Sequence, residues 1–322
     1  MGVLINRTDE YYKKRIEPEK RLESEVTISH LMRSKNSFTA SGLPYGTIIA
    51  RQLKKYLPKN PRILEIGPGL GDLAENFTQE LNGSFSYTFI DISKDFISFL
   101  KKRFSGDNRF NFIIGDFLTA GFKGKFNLII CNEVFGDLPT IINVRKNARH
   151  RELRRIAKKY KLKLKDGVNF NYGAVIAIEK IRKILARHGT AFICEHGCEG
   201  EPKKILAGDH FEYTIDFSTL KKVSKSLGFS IKYGSLTEFL GIKKLKCVLF
   251  MTQHELKMIR QFLKEHGVFI ENRIYTIDEV MSMLSRHVKI HNPEKYRKFL
   301  LKNSKCAKEI TNQFRFLILK NQ

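Results

Sequence analysis

The chain has 322 residues, 42% of them hydrophobic, enough to bury one large core or two modest ones. No run of about 18 apolar residues occurs, which argues against a helical membrane span. The first 20 residues interleave charges with tyrosines and do not read as a signal or transit peptide. Fifty-eight Lys and Arg against 33 Asp and Glu leave a net charge of +25, which favours acidic or polyanionic partners. Five scattered cysteines fit a reduced, cytoplasmic protein better than a disulfide scaffold.

Residues 1–57 read as an N-terminal helical segment with a loop at "SKNSFTASGLPYG". Within it "TIIARQLKKYL" (47–57) has helical spacing and stops before Pro58. An alternation then begins. β-rich runs at 62–67, 86–91, 109–116, 126–133 and 189–197 are separated by helical stretches such as "DLAENFTQEL" and "SKDFISFLKKRF". Strands that are nearly continuous apolar runs, alternating with helices, imply a parallel sheet covered on both faces. A basic insertion at about 140–170 interrupts the pattern, and residues 145–165 carry 11 Lys or Arg and one acid, Glu152. It reads equally as a solvated face or as a docking surface for a protein or nucleic acid, and Tyr160 alone offers little for base stacking. Two further strands are expected at 229–237 and 314–321. Between them lies a charged helical insertion, 240–311, with a capping box at Thr276 and Glu279. The expected organisation is an α/β, Rossmann-like core over 58–239, completed by a last strand within 312–322. Its sheet would be seven-stranded and mostly parallel, with helices on both faces.

The first strand runs into "EIGPGLGD". Gly67, Gly69 and Gly71 allow a tight turn and close approach of the backbone to a ligand, Pro68 stiffens it, and a helix follows. Carboxylates at Glu65 and Asp72 sit awkwardly beside a pyrophosphate but suit a ligand carrying an ammonium and a sulfonium. Asp91, followed by Ile92, ends the second strand where an acid holds ribose hydroxyls. Asp116, followed by Phe117, is placed to meet an adenine amino group. An ordinary turn with capping acids and a dinucleotide site are the other readings; the three strand ends together favour S-adenosylmethionine. "CEHGC" (194–198) lacks a second ligand pair for zinc, so no metal is expected. Cys194 is expected in the core, Glu195 and His196 in the cleft, and His210, Cys131 and Cys247 as packing residues.

The loop and its acids resemble the class I methyltransferases. Two families share letters this close. The ribosomal RNA adenine dimethyltransferases follow the fourth strand with an aromatic that grips the base, whereas "CNEVFGDLPT" has none after its proline. Segments in order resemble the MidA-like family, which includes the mitochondrial complex I assembly arginine methyltransferase: "NSFTASGLPYGTIIARQL", "CNEVFGDLP", "FICEHG", "HFEYTIDFSTLKKVSKSLGF" and "FRFLILKN". The family's acid after Asn-Glu-x-x is Gly136 here, with Asp137 next to it. The resemblance implies a protein arginine N-methyltransferase; a methyltransferase of the same fold acting on RNA or a small biosynthetic intermediate, and a non-catalytic assembly factor that binds the cofactor, are the alternatives. In the arginine reading Glu133 is the first catalytic candidate, followed by Asp137 and then Asp216, although the Phe-Ser-Thr-Leu after Asp216 reads more readily as a helix start with Asp216 as its N-cap. Asn132 would orient the attacking nitrogen or the cofactor, and the basic segment would meet the partner.

Overall fold

The computed structural model describes residues 4–18, 20, 26–144, 150–207, 210–243, 247–249, 253–287 and 292–322. Seven strands build the central sheet: β1 Arg62–Ile66, β2 Ser86–Asp91, β3 Phe110–Ile114, β4 Phe126–Asn132, β5 Leu185–Cys198, β6 Phe229–Ser235 and β7 Phe314–Asn321. Their order is β6-β7-β5-β4-β1-β2-β3, and the two-residue strand Ile215–Asp216 adds an eighth partner beside the end of β5. β1 to β5 pair in parallel. β7 runs antiparallel to both β5 and β6. The expected mostly parallel sheet forms.

Alternate residues of each strand feed two separate cores, as the twofold side-chain period requires. Ile63, Leu128, Ile130, Phe192, Phe316 and Ile318 belong to one, and Leu64, Ile66, Ile129, Cys131, Ile193, Leu317 and Leu319 to the other. Helices α1 Tyr45–Leu53, α2 Asp72–Thr78 and α3 Lys94–Arg103 cover the first face. Helices α4 Arg151–Lys159, α5 Tyr172–Ile184 and α6 Phe217–Ser226 cover the second. Each fully buried Leu or Ile in these strands contributes roughly 1.5–3 kcal/mol.

The N-terminal segment is less helical than expected. It holds the short helices Asp9–Tyr12 and Ile28–Leu31 before α1, and its strand Leu4–Ile5 pairs antiparallel with Ile141–Ile142. Pairing supplied by a strand far along the chain leaves no local period to read. The 240–311 region contains the expected helices, Gln253–Glu265, Ile277–His287, Pro293–Lys302 and Ala307–Thr311. It also has an unexpected small sheet in which Cys247–Leu249 pairs with Tyr275–Thr276 and Lys305–Cys306. Strands of two or three residues are too short to show alternation. The capping box forms: Thr276 N donates to Glu279 Oε2 at 2.6 Å and Glu279 N to Thr276 Oγ1 at 3.1 Å. The Cys247 side chain lies outside the described residues.

Candidate functional site

A pocket of about 420 Å³ opens at the carboxyl ends of β1 to β4. Here the strand order reverses between β1 and β4, the switch point at which open α/β sheets bind ligands. Its wall includes Glu65, Gly67 to Leu70, Asp91, Ile92, Asp116, Phe117 and Asn132. Residues predicted separately at four strand ends thus meet around one cavity.

The glycine loop is shaped by its neighbours. Gly67 has φ 62°, and a Cβ there would stand 2.1 Å from Val134 Cγ2, so β1's loop and the turn after β4 interlock. Gly69 has φ 54° and open space where its Cβ would project, leaving backbone exposed to the cavity. Gly71, expected at the cofactor, is instead a packing position. It caps α2 with φ 81°, a Cβ would meet Leu100 Cδ2 at 2.6 Å, and it is not on the pocket wall.

Two buried carboxylates flank this loop and titrate in opposite directions. Burial pushes Glu65 up to about 8, only partly offset by the hydrogen bond it accepts from Tyr87 Oη at 2.8 Å. Burial also opposes the charge of Asp72. There the hydrogen bond to His30 Nδ1 (2.7 Å) and the Arg103 guanidinium (2.9 Å) prevail and hold the carboxyl below its usual range. At neutral pH the fixed negative charge beside the loop therefore belongs to Asp72. Asp91 is buried, and its Oδ1 accepts from Ser93 N at 2.8 Å. Asp116 Oδ1 accepts from Leu118 N at 2.8 Å, which holds that carboxylate at the cavity rim.

The turn after β4 carries Glu133 and Asp137, both on the pocket wall. Glu133 adopts φ 54°, an uncommon conformation for a residue with a Cβ. Tertiary contacts hold it there: its amide donates to Cys194 O at 2.8 Å, and its carboxylate accepts from Ile28 N at 3.0 and 3.1 Å. Asn132 donates from Nδ2 to Glu133 Oε1 at 2.9 Å and accepts from Tyr45 Oη at 2.5 Å. Both ends of that amide are engaged in placing Glu133.

Three expectations are corrected. Asp216 is not on the pocket wall; it caps α6, accepting from Ser218 N at 2.9 Å and Thr219 Oγ1 at 2.6 Å. Glu195 does not face the cleft but lies beneath the turn, accepting from Phe135 N at 2.7 Å, Gly136 N at 3.0 Å and His196 N at 2.8 Å. His196 stacks on Phe314 at 5.5 Å instead of entering the cleft. Adjacent residues of a strand point to opposite faces, so the two could not both enter the cleft. Cys131 and Cys194 are buried, as expected.

His210 does more than pack. Its Nε2 stands 3.5 Å from Asp137 Oδ1, with Glu212 close by. Other wall residues went unanticipated because they come from the N-terminal segment: Ile5, Arg7, Asp9, Tyr12, Ser29 and His30. This strap crosses the cavity and is anchored by Asn6 N to Thr140 O (2.9 Å) and Ile16 N to Asp95 Oδ2 (3.1 Å).

Of the basic segment, residues 145–149, with Arg145, Lys146 and Arg149, lie outside the described residues. Two of the remaining cations, both exposed, are tied to one shielded carboxylate. Arg155 and Lys159 both bind Glu179, at 3.0 and 2.8 Å, and Tyr160 Oη donates to the same carboxylate at 2.5 Å. Burial opposes the Glu179 charge, but these donors pull its pKa down to about 2. Arg151, Arg154 and Lys158 remain on the exposed side of α4.

Comparison with known proteins agrees with this geometry. Residues 63–159, the strands and loops that build the pocket, match the family described as a methyltransferase domain. Ribosomal RNA small subunit methyltransferase A of Prochlorococcus marinus (strain NATL2A) is 37% identical over 90 residues, 27% of this chain and 30% of that protein. The corresponding protein of Gloeobacter violaceus is 31% identical over 71 residues, a quarter of its length. The chain thus spans less than a third of the curated relatives it matches. The crystal structure of an uncharacterized protein from Burkholderia thailandensis superposes with a TM-score of 0.52 at 15% identity, covering 97% of this chain and 92% of that one. The [4+2]-cyclase SpnF superposes with a TM-score of 0.50 at 12% identity, covering 99% and 98%. Strand order, the glycine loop and these likenesses agree: the chain has the Rossmann-like fold of the class I methyltransferases, with a methyltransferase-domain match over the segment that forms its pocket.

Proposed function

We propose that the protein is an S-adenosylmethionine-dependent methyltransferase acting on a protein arginine, in the manner of the MidA-like family. One observation carries the cofactor assignment: Glu65, the Gly67–Leu70 backbone, Asp91 and Asp116 line a single cavity at the switch point of the sheet. The residues fit the group. Gly69 leaves a cradle that a side chain would fill, and Asp91, Asp116 and Phe117 line the same cavity; in this reading Asp91 takes the ribose hydroxyls and Asp116 and Phe117 the adenine. Asp72 supplies the negative charge that Glu65, neutral below about pH 8, does not. When bound, S-adenosylmethionine supplies an electrophilic methyl group, transferred in line, so positioning of the acceptor provides much of the rate.

The acceptor side of the cavity presents Glu133 and Asp137. A guanidinium stays protonated in a protein, with a pKa above about 12, so its charge must be localised by carboxylates before one nitrogen can attack. Glu133, fixed by Asn132 and the Ile28 amide, is the first such carboxylate, and Asp137 is the second. Asn132 acts here as the residue that orients Glu133. A second reading, methylation of RNA, is favoured by the local likeness to the ribosomal RNA methyltransferases and by the exposed cations of α4.

Radiolabelled S-adenosylmethionine incubated with the protein and cell extract separates these readings. Label in a protein band, released as methylarginine on hydrolysis, supports the first, and label in RNA the second. Cofactor binding with no transfer to any fraction marks a non-catalytic assembly factor and overturns both. Asp91→Ala should abolish cofactor binding by calorimetry; unchanged affinity would overturn the ribose placement. If RNA is the partner, neutralising Arg151, Arg154 and Lys158 lowers its affinity and flattens the dependence on salt.

A further inference from the structure

Three groups from two separate parts of the chain converge at the pocket rim. Asp137 comes from the turn after β4. His210 and Glu212 come from the strand His210–Tyr213, which pairs antiparallel with Lys204–Ala207. Two residues apart on a strand, His210 and Glu212 project from the same face. One ligand atom from each of the three lies within 4.8 Å of the other two. Atoms bound to a common ion at roughly 2.0–2.4 Å can be at most about 4.8 Å apart, so the spacing meets the geometric condition for coordination. The His210 Nε2 to Asp137 Oδ1 distance of 3.5 Å is near the roughly 3 Å between adjacent corners of an octahedron. The imidazole is buried and its plane is fixed, with Tyr11 stacked at 4.3 Å and Tyr12 edge-on at 5.4 Å. Tyr12 Oη is in long hydrogen-bond contact with Nε2 at 3.5 Å, a contact that a bound ion would replace.

We infer that Asp137, His210 and Glu212 form a binding site for a divalent cation at the rim of the pocket. Two carboxylates and one imidazole suit an ion of the Mn²⁺ class, with coordination positions left for oxygen donors. Asp137 belongs to both the site and the pocket wall, so the bound ion would stand where an acceptor enters. The strap bearing Tyr11 and Tyr12 would close over it. The inference concerns metal binding and is independent of the proposed methyl transfer.

Titration of the full-length protein with Mn²⁺, followed by the loss of the free-ion electron paramagnetic resonance signal, tests it. One ion per chain is expected, with affinity weakened about tenfold or more in Glu212→Gln and in His210→Gln. Circular dichroism of the metal-free variants should match wild type; Glu212 is the less buried of the two positions and keeps the test sound if the histidine variant fails to fold. Asp91→Ala should lose cofactor binding and retain Mn²⁺, which separates this site from the cofactor reading. No Mn²⁺ binding up to about 1 mM, or equal binding by Glu212→Gln, would overturn the proposal. So would a wild-type protein that binds no ion and holds His210 as an imidazolium between the two carboxylates, seen in its imidazole resonances.

Discussion

The loop after β1 and the turn after β4 leave adjacent strands and face the same cavity, yet they are built by opposite means. The first takes left-handed backbone at three glycines, Gly67, Gly69 and Gly71, where no Cβ resists it. The second puts a similar φ of 54° on Glu133, which has one, and offsets the cost with contacts from distant segments. Ile28 N, Cys194 O and Asn132 hold Glu133 itself, while Glu195 gathers the amides of Phe135 and Gly136. One loop turns on the conformational freedom of its glycines and offers its backbone to a ligand. The other is imposed by the fold, and its side chains point where they do only while several neighbours are in place. The second region should therefore respond to remote changes that leave the first untouched.

The largest test of that contrast lies where the two regions touch. Gly67→Ala places a Cβ against Val134 and forces a residue into left-handed backbone, and should cost about 3–4 kcal/mol in urea denaturation. Gly69→Ala, with open space around it, should cost only about 1 kcal/mol, although cofactor affinity falls. Equal losses would mean that the loops do not interlock. Next, Glu195→Ala strips the acceptor from buried amides and should cost about 2–3 kcal/mol. Its kinetic effect should fall on transfer to the acceptor, leaving cofactor affinity near wild type; a loss confined to cofactor binding would contradict the division.

The third expectation is a pH dependence with a definite sign. Glu65 has its folded pKa raised to about 8, so the native state binds its proton more tightly than the unfolded chain does. That contribution is fully present below the ordinary carboxylate range and is lost as pH rises towards 8. Asp72, with its pKa lowered, contributes above that range and loses its contribution only in acid. Glu65→Gln should match wild-type stability near pH 5 and exceed it increasingly up to pH 8.5; a constant difference would refute the burial effect. The smallest effect is Tyr45→Phe, which removes one buried hydrogen bond to Asn132 and should lower stability by about 1 kcal/mol, read as a shift of the urea midpoint.

The same division describes what could be read before folding. β1 to β5 were legible because each holds an apolar run that ends at or just before a glycine or an acid, and β6 and β7 from their aromatic and β-branched residues; the expected ranges differ from the observed ones by a few residues. Glu65, Asp91 and Asp116 were legible because each ends such a run, and strand ends of a parallel sheet share an edge. Asp216 was legible as an N-cap from the Phe-Ser-Thr-Leu that follows it, and the structure shows that cap, away from the pocket wall. Glu195 and His196 were both assigned to the cleft, although neighbours on a strand point to opposite faces, and which loop covers each face is decided only by the fold. The strap over the cavity and the Asp137–His210–Glu212 cluster left no signal at all, since Ile5, His210 and Asp137 meet only through the pairing of segments far apart in the chain.

By itself, then, the sequence determined the alternation of strands and helices, the glycine turn and the acids that punctuate strand ends. These depend on side-chain period and on the conformational freedom of single residues, which are local properties. The tertiary structure alone decided the protonation of Glu65 against the ionisation of Asp72, the strained backbone of Glu133 and the cover of the pocket. Those depend on desolvation and on partners brought together by the sheet, and neither exists until the chain has folded.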